Sequence, residues 1–250
     1  MRTIGPEVRM ITNAQTGTNV HEIADGVFRI STPLAVIPGG FTFNQILLRD
    51  EAPLLFHTGL RGMFPLVREA VSHVLGDPAR LRYVSFSHYE ADECGSLNQW
   101  LALAPRSEPV CSATAAMVSV NDQADRPPRA LADGEELSLG SRTVRWIDTP
   151  HLPHGWESGL LFEPASRTLL CGDLFTAGGA DVPPLSGADV LGPALAMQAA
   201  VPYLVNGPHV RPLLEKLART EPRVLGLMHG SSYEGDGGRA LRALADALGA

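Results

Sequence analysis

The sequence contains no Cys-x-x-Cys pair and only three cysteines, Cys94, Cys111 and Cys171. An odd, scattered set excludes a disulfide framework and gives no support to a thiolate zinc site. Each cysteine therefore reads as a small buried hydrophobe. No apolar run approaches the ~20 residues of a membrane-spanning helix. The segment Met1–Asn19 lacks an apolar core of signal-peptide length and reads as a polar leader. Basic residues are outnumbered, 20 Lys and Arg against 27 Asp and Glu, for a net charge of −7. Nucleic-acid binding needs a basic surface, so that balance argues against such a partner. The chain also lacks a Gly-x-Gly-x-x-Gly and a Walker loop. Thr16-Gly17-Thr18-Asn19 has no strand before it and is assigned to the leader. These absences leave, by default, a soluble cytoplasmic protein with no membrane segment.

What is present is a core. Hydrophobic residues make up 44% and charged residues 19% of 250 positions, a balance that suits a single globular domain over 1–250. Short β-branched and apolar runs separated by turns predict strands over Val27–Ser31, Phe43–Leu48, Pro53–Phe56, Leu81–Ser87 and Val110–Ser112. Phe64, Val67, Ala70, Val71 and Val74 share one helical face, and Glu93–Leu103 reads as a second helix. Asp125–Pro128 is a loop. Two hairpins follow, one turning at Gly140–Ser141 and one at Pro164–Ser166. Helices over Gly192–Leu204, Pro208–Arg219 and Gly238–Leu248, interrupted by a strand at Arg223–Leu227, complete the chain. Strand-rich segments followed by helices occur twice, which predicts an α/β (α+β) fold of two mixed sheets packed together with helices outside.

The residues that carry chemistry stand where predicted strands end. Ser87-His88-Tyr89-Glu90-Ala91-Asp92-Glu93 follows the strand Tyr83–Phe86. His88, Glu90 and Asp92, spaced by two, face one side of an extended or turning segment. One imidazole and two carboxylates suit metal coordination. The competing reading is a solvated acidic loop that starts a helix, with Asp92 as its N-cap. His151 after Asp148-Thr149-Pro150, Asp173 after Gly172, and His229 before Gly230 each end another apolar strand. Four such sets at strand ends favour one shared crevice.

The series His-x-Glu-x-Asp, His, Gly-Asp and His-Gly resembles the metallo-β-lactamase superfamily. The hydrolytic branch, glyoxalase II among them, usually reads His-x-His-x-Asp-His. Glu90 and Glu93 stand here at the second and last His positions, and His-x-Glu-x-Asp is similar to the β-lactamase-like domain of flavodiiron proteins and to oxygen-binding di-iron proteins. The resemblance runs from about Val20 onward and implies an αββα sandwich. It further implies that His88, Glu90 and His151 hold one metal ion, that Asp92 and His229 hold a second, and that Asp173 bridges them. Glu93 either ligates the second ion or orients a water, and Asp92 could orient a metal-generated hydroxide, so Asp92 and Glu93 are the candidate catalytic residues. A shell of nitrogen and oxygen without sulfur favours iron, with zinc or manganese also compatible.

The expected function is a non-haem di-iron protein that binds or reduces dioxygen or nitric oxide. Turnover then calls for a separate electron-donor protein, because no flavodoxin or rubredoxin element is visible. The alternative is a binuclear hydrolase of a thioester, lactone or phosphodiester, in which the metals generate hydroxide. Phe56-His57-Thr58-Gly59 aligns with a segment that commonly reads Asp-Thr-Gly, so His57 is a candidate support for a ligand. Pro153 opposes a helix that would bring His154 to the same metal as His151, and His154 is read as pocket lining or structural. Tyr89, Trp156, Phe175 and Tyr233 are expected to shape an apolar pocket over the metals.

Overall fold

Each face of two sheets carries a separate apolar layer, and the layering follows from strand alternation. In the computed structural model, residues 10–35 and 37–249 are described. The first sheet contains eight strands in sequence order. They are β1 (Met10–Asn13), β2 (Thr18–Ala24), β3 (Val27–Leu34), β4 (Phe41–Leu48), β5 (Leu54–Phe56), β6 (Tyr83–Ser85), β7 (Glu108–Ser112) and β8 (Arg129–Leu131). Strands β1 to β5 pair antiparallel, whereas β5 to β8 pair parallel. The second sheet comprises β9 (Glu136–Ser138), β10 (Thr143–Asp148), β11 (Gly159–Glu163), β12 (Thr168–Leu170), β13 (Leu185–Ser186), β14 (Val224–Gly226) and β15 (Ser232–Glu234). Its spatial order is β13-β15-β14-β12-β11-β10-β9.

Alternate residues of both sheets meet between them. Ile46, Leu48 and Phe56 of the first sheet pack with Val144, Trp146 and Leu161 of the second. On the outer face of the first sheet, Val67, Ala70 and Val71 of the helix Phe64–Leu75 cover Leu47, Leu55 and Val84. Helices Val210–Ala218 and Gly237–Ala247 cover the other outer face, with Leu214, Leu241 and Leu244 packed against Leu169 and Leu225. The αββα sandwich expected from the sequence is the observed fold. Cys94, Cys111 and Cys171 are free and buried. Among the described residues, no helix is long and apolar enough to cross a membrane.

The leader expectation is corrected for its described part. Residues 10–13 form the edge strand of the first sheet and residues 18–24 the strand beside it, joined by a turn at Gly17, whose N–H donates to the Asn13 carbonyl at 2.9 Å. Their polar side chains hid them, since a strand at or next to a sheet edge needs fewer apolar residues than a central one. Residues 1–9 lie outside the described residues. The helix predicted over Glu93–Leu103 is two helices, Ala91–Cys94 and Leu97–Leu103. Ser96 leaves the helix between them to bond Thr58, its N–H to Oγ1 at 3.1 Å and its Oγ to the carbonyl at 2.8 Å.

Gly159 shows how tightly the second sheet is packed beside the site loops. A Cβ there would lie 2.2 Å from Trp146 Cζ2, and Trp146 is fully buried. Overpacking of this kind typically costs ~1–3 kcal/mol. Gly159→Ala is therefore expected to lower unfolding free energy by that amount in a denaturant titration. An unchanged midpoint would show that the Trp146 ring moves aside freely.

Candidate metal centre

Strand direction gathers the site. Strands β5 and β6 run parallel, and β10, β12 and β14 share one direction in the second sheet. Their C-terminal ends carry His57, the 87–93 turn, the 151–158 loop, Asp173 and His229. Strand β4 runs opposite to β5, so its start, Phe41–Phe43, comes to the same edge. The chain leaves these strands through left-handed backbone at His57, His151, Gly155, Gly172, Phe175 and Gly230, with φ of 67°, 63°, 77°, 52°, 62° and 88°. Such conformations are costly for non-glycine residues and concentrate where side chains must be aimed.

Four donor residues converge first. A ligand atom from each of His88, Glu90, His154 and Asp173 lies within 4.8 Å of the others. His88 Nε2 is 2.7 Å from Glu90 Oε2, and His154 Nε2 is 3.0 Å from that same oxygen and 3.5 Å from Asp173 Oδ2. A second group adjoins it. His229 Nε2 lies 3.1 Å from Asp173 Oδ1 and 3.5 Å from Asp92 Oδ2. The two carboxylate oxygens of Asp173 thus face different groups.

The backs of two imidazoles are fixed. His229 Nδ1 lies 2.8 Å from the Thr42 carbonyl, which can only accept, so Nδ1 carries the proton. Gly230 N–H donates to Thr42 Oγ1 at 2.8 Å, and Asn44 Nδ2 donates to the Leu227 and Gly230 carbonyls at 2.9 and 3.0 Å. These bonds lock the His229 loop of one sheet onto the other. His88 Nδ1 lies 3.1 Å from Glu93 Oε1 and 3.0 Å from Ser87 Oγ. In both rings the Nε2 lone pair then points at carboxylate oxygen. Lone pair against lone pair calls for a cation between them.

In the metal-free protein that cation is a proton. Burial pulls the His88 pKa down, but the charge of Glu93 and the bond to Glu90 outweigh it and raise it to about 11. Burial likewise opposes protonation of His229, yet Asp173 and Asp92 lift its pKa to about 10. Glu90 is held well below the usual carboxylate range by its bonds to His154 and His88. A metal ion would replace these protons. The residues present accordingly fit a metal ion among His88, Glu90, His154 and Asp173, and Asp92 and His229 stand beside Asp173 as donors that would serve a second.

Two expectations change. His151 is exposed and turned from the cluster; its ring lies 5.7 Å from that of His209. The loop closes on itself, with His151 N–H donating to the Gly155 carbonyl at 2.9 Å. Gly155 lies so close to His88 that an added Cβ would be 3.0 Å from His88 Cβ. That closure turns His154, three residues on, against Glu90. Glu93 does not face the donor groups. Fully buried, it accepts from the Ser87 and His88 N–H groups at 2.7 and 2.8 Å and from Ser87 Oγ at 2.5 Å. It braces His88 from behind and contacts no position where a substrate could sit, so the catalytic role expected for it is replaced by support. Burial opposes its charge, but His88 and His57 hold its carboxyl below the usual range.

The apolar pocket exists but has other walls. A cavity of about 300 Å³ over Glu90, Asp92, Asp173 and His229 is walled by Phe41, Phe43, Met197 and Tyr203. Phe41 stacks on His229 with centroids 4.3 Å apart. Trp156 is instead 55% exposed, while Phe175 and Tyr233 line a different crevice and Tyr89 a third. Phe41 and Phe43 were visible as alternate residues of β4, yet their closeness to His229 depends on antiparallel pairing. Thr42, Met197 and Tyr203 carry no signal in sequence that would have placed them here.

A family model described as ODP family beta lactamase matches residues 41–187. The chain belongs to that family. The matched span contains every donor position above except His229. The chain is 29% identical over 140 residues to rubredoxin-oxygen oxidoreductase of Megalodesulfovibrio gigas, a match covering 55% of this chain and 34% of that protein. It is 27% identical over 142 residues to the anaerobic nitric oxide reductase flavorubredoxin of Salmonella arizonae, covering 54% and 29%. The matches thus span about a third of the length of these curated relatives. Among solved structures, rubredoxin oxygen:oxidoreductase from Desulfovibrio gigas superposes with a TM-score of 0.80 at 23% identity, over 92% of this chain and 61% of that one. The fold is shared along nearly the whole chain of this ODP family member.

Proposed function

We propose that the chain is a non-haem di-iron protein that binds or reduces dioxygen or nitric oxide at the Asp173-centred site. The observation that carries this reading is that the two oxygens of one carboxylate face different imidazoles, Asp173 Oδ1 lying 3.1 Å from His229 Nε2 and Oδ2 3.5 Å from His154 Nε2. Relatives named as an oxygen oxidoreductase and a nitric oxide reductase support the class of reaction. Four carboxylate and imidazole donors around the first position, without sulfur, favour iron over zinc. Two iron ions would supply electrons to a diatomic ligand and stabilise the charge it acquires.

The chain's own residues do the rest. Phe41, Phe43, Met197 and Tyr203 give the pocket over the donors apolar walls, which suits a small apolar molecule. Thr42 and Glu93 fix the rings of His229 and His88. Glu90, with a half-exposed side chain, closes the donor set toward solvent. Repeated reduction would draw electrons from a separate donor protein of the kind named by the rubredoxin-dependent relative.

Protein produced with ample iron and no added zinc is expected to hold about two iron ions per chain. After anaerobic reduction, its near-ultraviolet and visible absorption is expected to change on admission of oxygen or nitric oxide. Two tightly held zinc ions, with no spectral response but with hydrolysis of thioesters or lactones, would replace this reading with the hydrolase.

A further inference from the structure

Behind the metal centre lies a second pair of buried polar groups that the donor set does not use. His57 is 1% exposed, yet neither ring nitrogen has a hydrogen-bond partner. A buried polar atom left unpaired costs ~1–3 kcal/mol, so its retention needs a reason. The ring is aimed at one group. His57 Nε2 lies 3.5 Å from Glu93 Oε1, the same oxygen that lies 3.1 Å from His88 Nδ1. One carboxylate oxygen thus stands between two imidazoles, and the front imidazole presents Nε2 to Glu90 at 2.7 Å.

The backbone holds this row in place. His57 N–H donates to the Ser85 carbonyl at 2.8 Å and Thr58 N–H to the Glu93 carbonyl at 2.6 Å. The left-handed turn at His57 folds its ring back against Glu93, where Phe56 covers it with centroids 4.2 Å apart. The other oxygen of Glu93, Oε2, accepts from the Ser87 and His88 N–H groups, and Ser87 Oγ donates to Oε1. Glu93 Oε1 thus has Ser87 Oγ at 2.5 Å, His88 Nδ1 at 3.1 Å and His57 Nε2 at 3.5 Å, and His57 is the one of the three that comes from outside the 87–93 turn.

We propose that His57 is a positioning residue: it steadies Glu93 Oε1 so that this oxygen accepts the Nδ1 proton of His88, which leaves His88 Nε2 free to ligate the first metal ion. Outer partners of metal-bound histidines act in this way and typically govern affinity by 10–100-fold. A neutral His57 suffices, with its proton on Nε2 and its Nδ1 buried beside Phe56. This inference rests on the two-metal reading, and it concerns how one ligand is prepared rather than what the metals do.

The test uses the full chain stripped of metal by chelation and titrated with Co²⁺ alone, followed by absorption and calorimetry. His57→Leu and His57→Gln impose similar backbone strain but differ in one donor, because a glutamine amide reaches the place of imidazole Nε2. His57→Leu is expected to weaken uptake of the first Co²⁺ by about 10–100-fold, while His57→Gln stays within about threefold of wild type. Equal Co²⁺ affinity in all three proteins overturns the proposal. So does an equal loss in both variants, which marks His57 as a packing residue. Should His57→Leu fail to fold, nitrogen-proton correlation spectra of zinc-loaded wild type decide: protons on His57 Nε2 and His88 Nδ1 support the row, and the reverse tautomer at either ring refutes it. Failure of wild type to bind Co²⁺ would overturn the two-metal reading itself, a result distinct from equal binding by wild type and variants.

Discussion

Asp173→Ala is expected to reduce bound metal from about two ions per chain to one or fewer. Asp173 is the residue whose two oxygens address different donor groups, Oδ2 toward His154 at 3.5 Å and Oδ1 toward His229 at 3.1 Å. Without it the second position retains only Asp92 and His229, and two donors hold a divalent ion weakly. The first position keeps three donors but loses a negative charge. Metal analysis after gel filtration reads the stoichiometry directly. Asp173→Asn sharpens the result, since it keeps the volume and one acceptor oxygen but removes the charge that offsets two cations. Retention of two ions by the alanine variant would mean that some other group bridges them and that the assignment of Asp173 is wrong.

His154→Ala and His151→Ala are expected to diverge. Loss of His154 removes a donor from the first position and should weaken metal uptake there on the order of 100-fold. Loss of His151 should leave uptake within about threefold, since its ring is exposed and lies beside His209. The same titration serves both variants, and denaturation of the metal-free proteins shows whether folding contributes. If His151→Ala proved the damaging change, the 151–158 loop would have to rearrange around the bound metal.

The pairing of these two histidines marks where sequence reading stops. Both belong to His151-Leu152-Pro153-His154, and the resemblance to metallo-β-lactamases favoured the first, because it follows the strand directly. Which one turns inward depends on the loop closing through His151 N–H and the Gly155 carbonyl, with Gly155 seated against His88. The seating of Gly155 on His88 joins residues more than sixty positions apart, and no local pattern encodes it. Glu93 is a similar case. Its place in the motif suggested ligation or water orientation, but the short helix Ala91–Cys94 carries it under the 87–88 backbone, where three donors hold it.

The strands and helices that build the sandwich were legible because apolar periodicity is a local property, and burial on one or both faces imposes it directly. Ligand types at strand ends were legible for a related reason: His88, Glu90, Asp92, Asp173 and His229 each follow an apolar run that only a sheet would bury. The edge strands β1 and β13 were not, since a strand with one neighbour can be polar, and neither were β2 and β15 beside them, which are short of apolar residues. By itself, then, the sequence determined the fold class, the chemistry of the donors and the end of the sheets at which they stand. Tertiary structure decided which of two neighbouring histidines joins them, that Glu93 and Thr42 orient imidazoles from behind, and that Phe41, Phe43 and Tyr203 wall the cavity. Those facts depend on antiparallel pairing, loop closure and packing between distant segments, and such contacts exist only once the two sheets have come together.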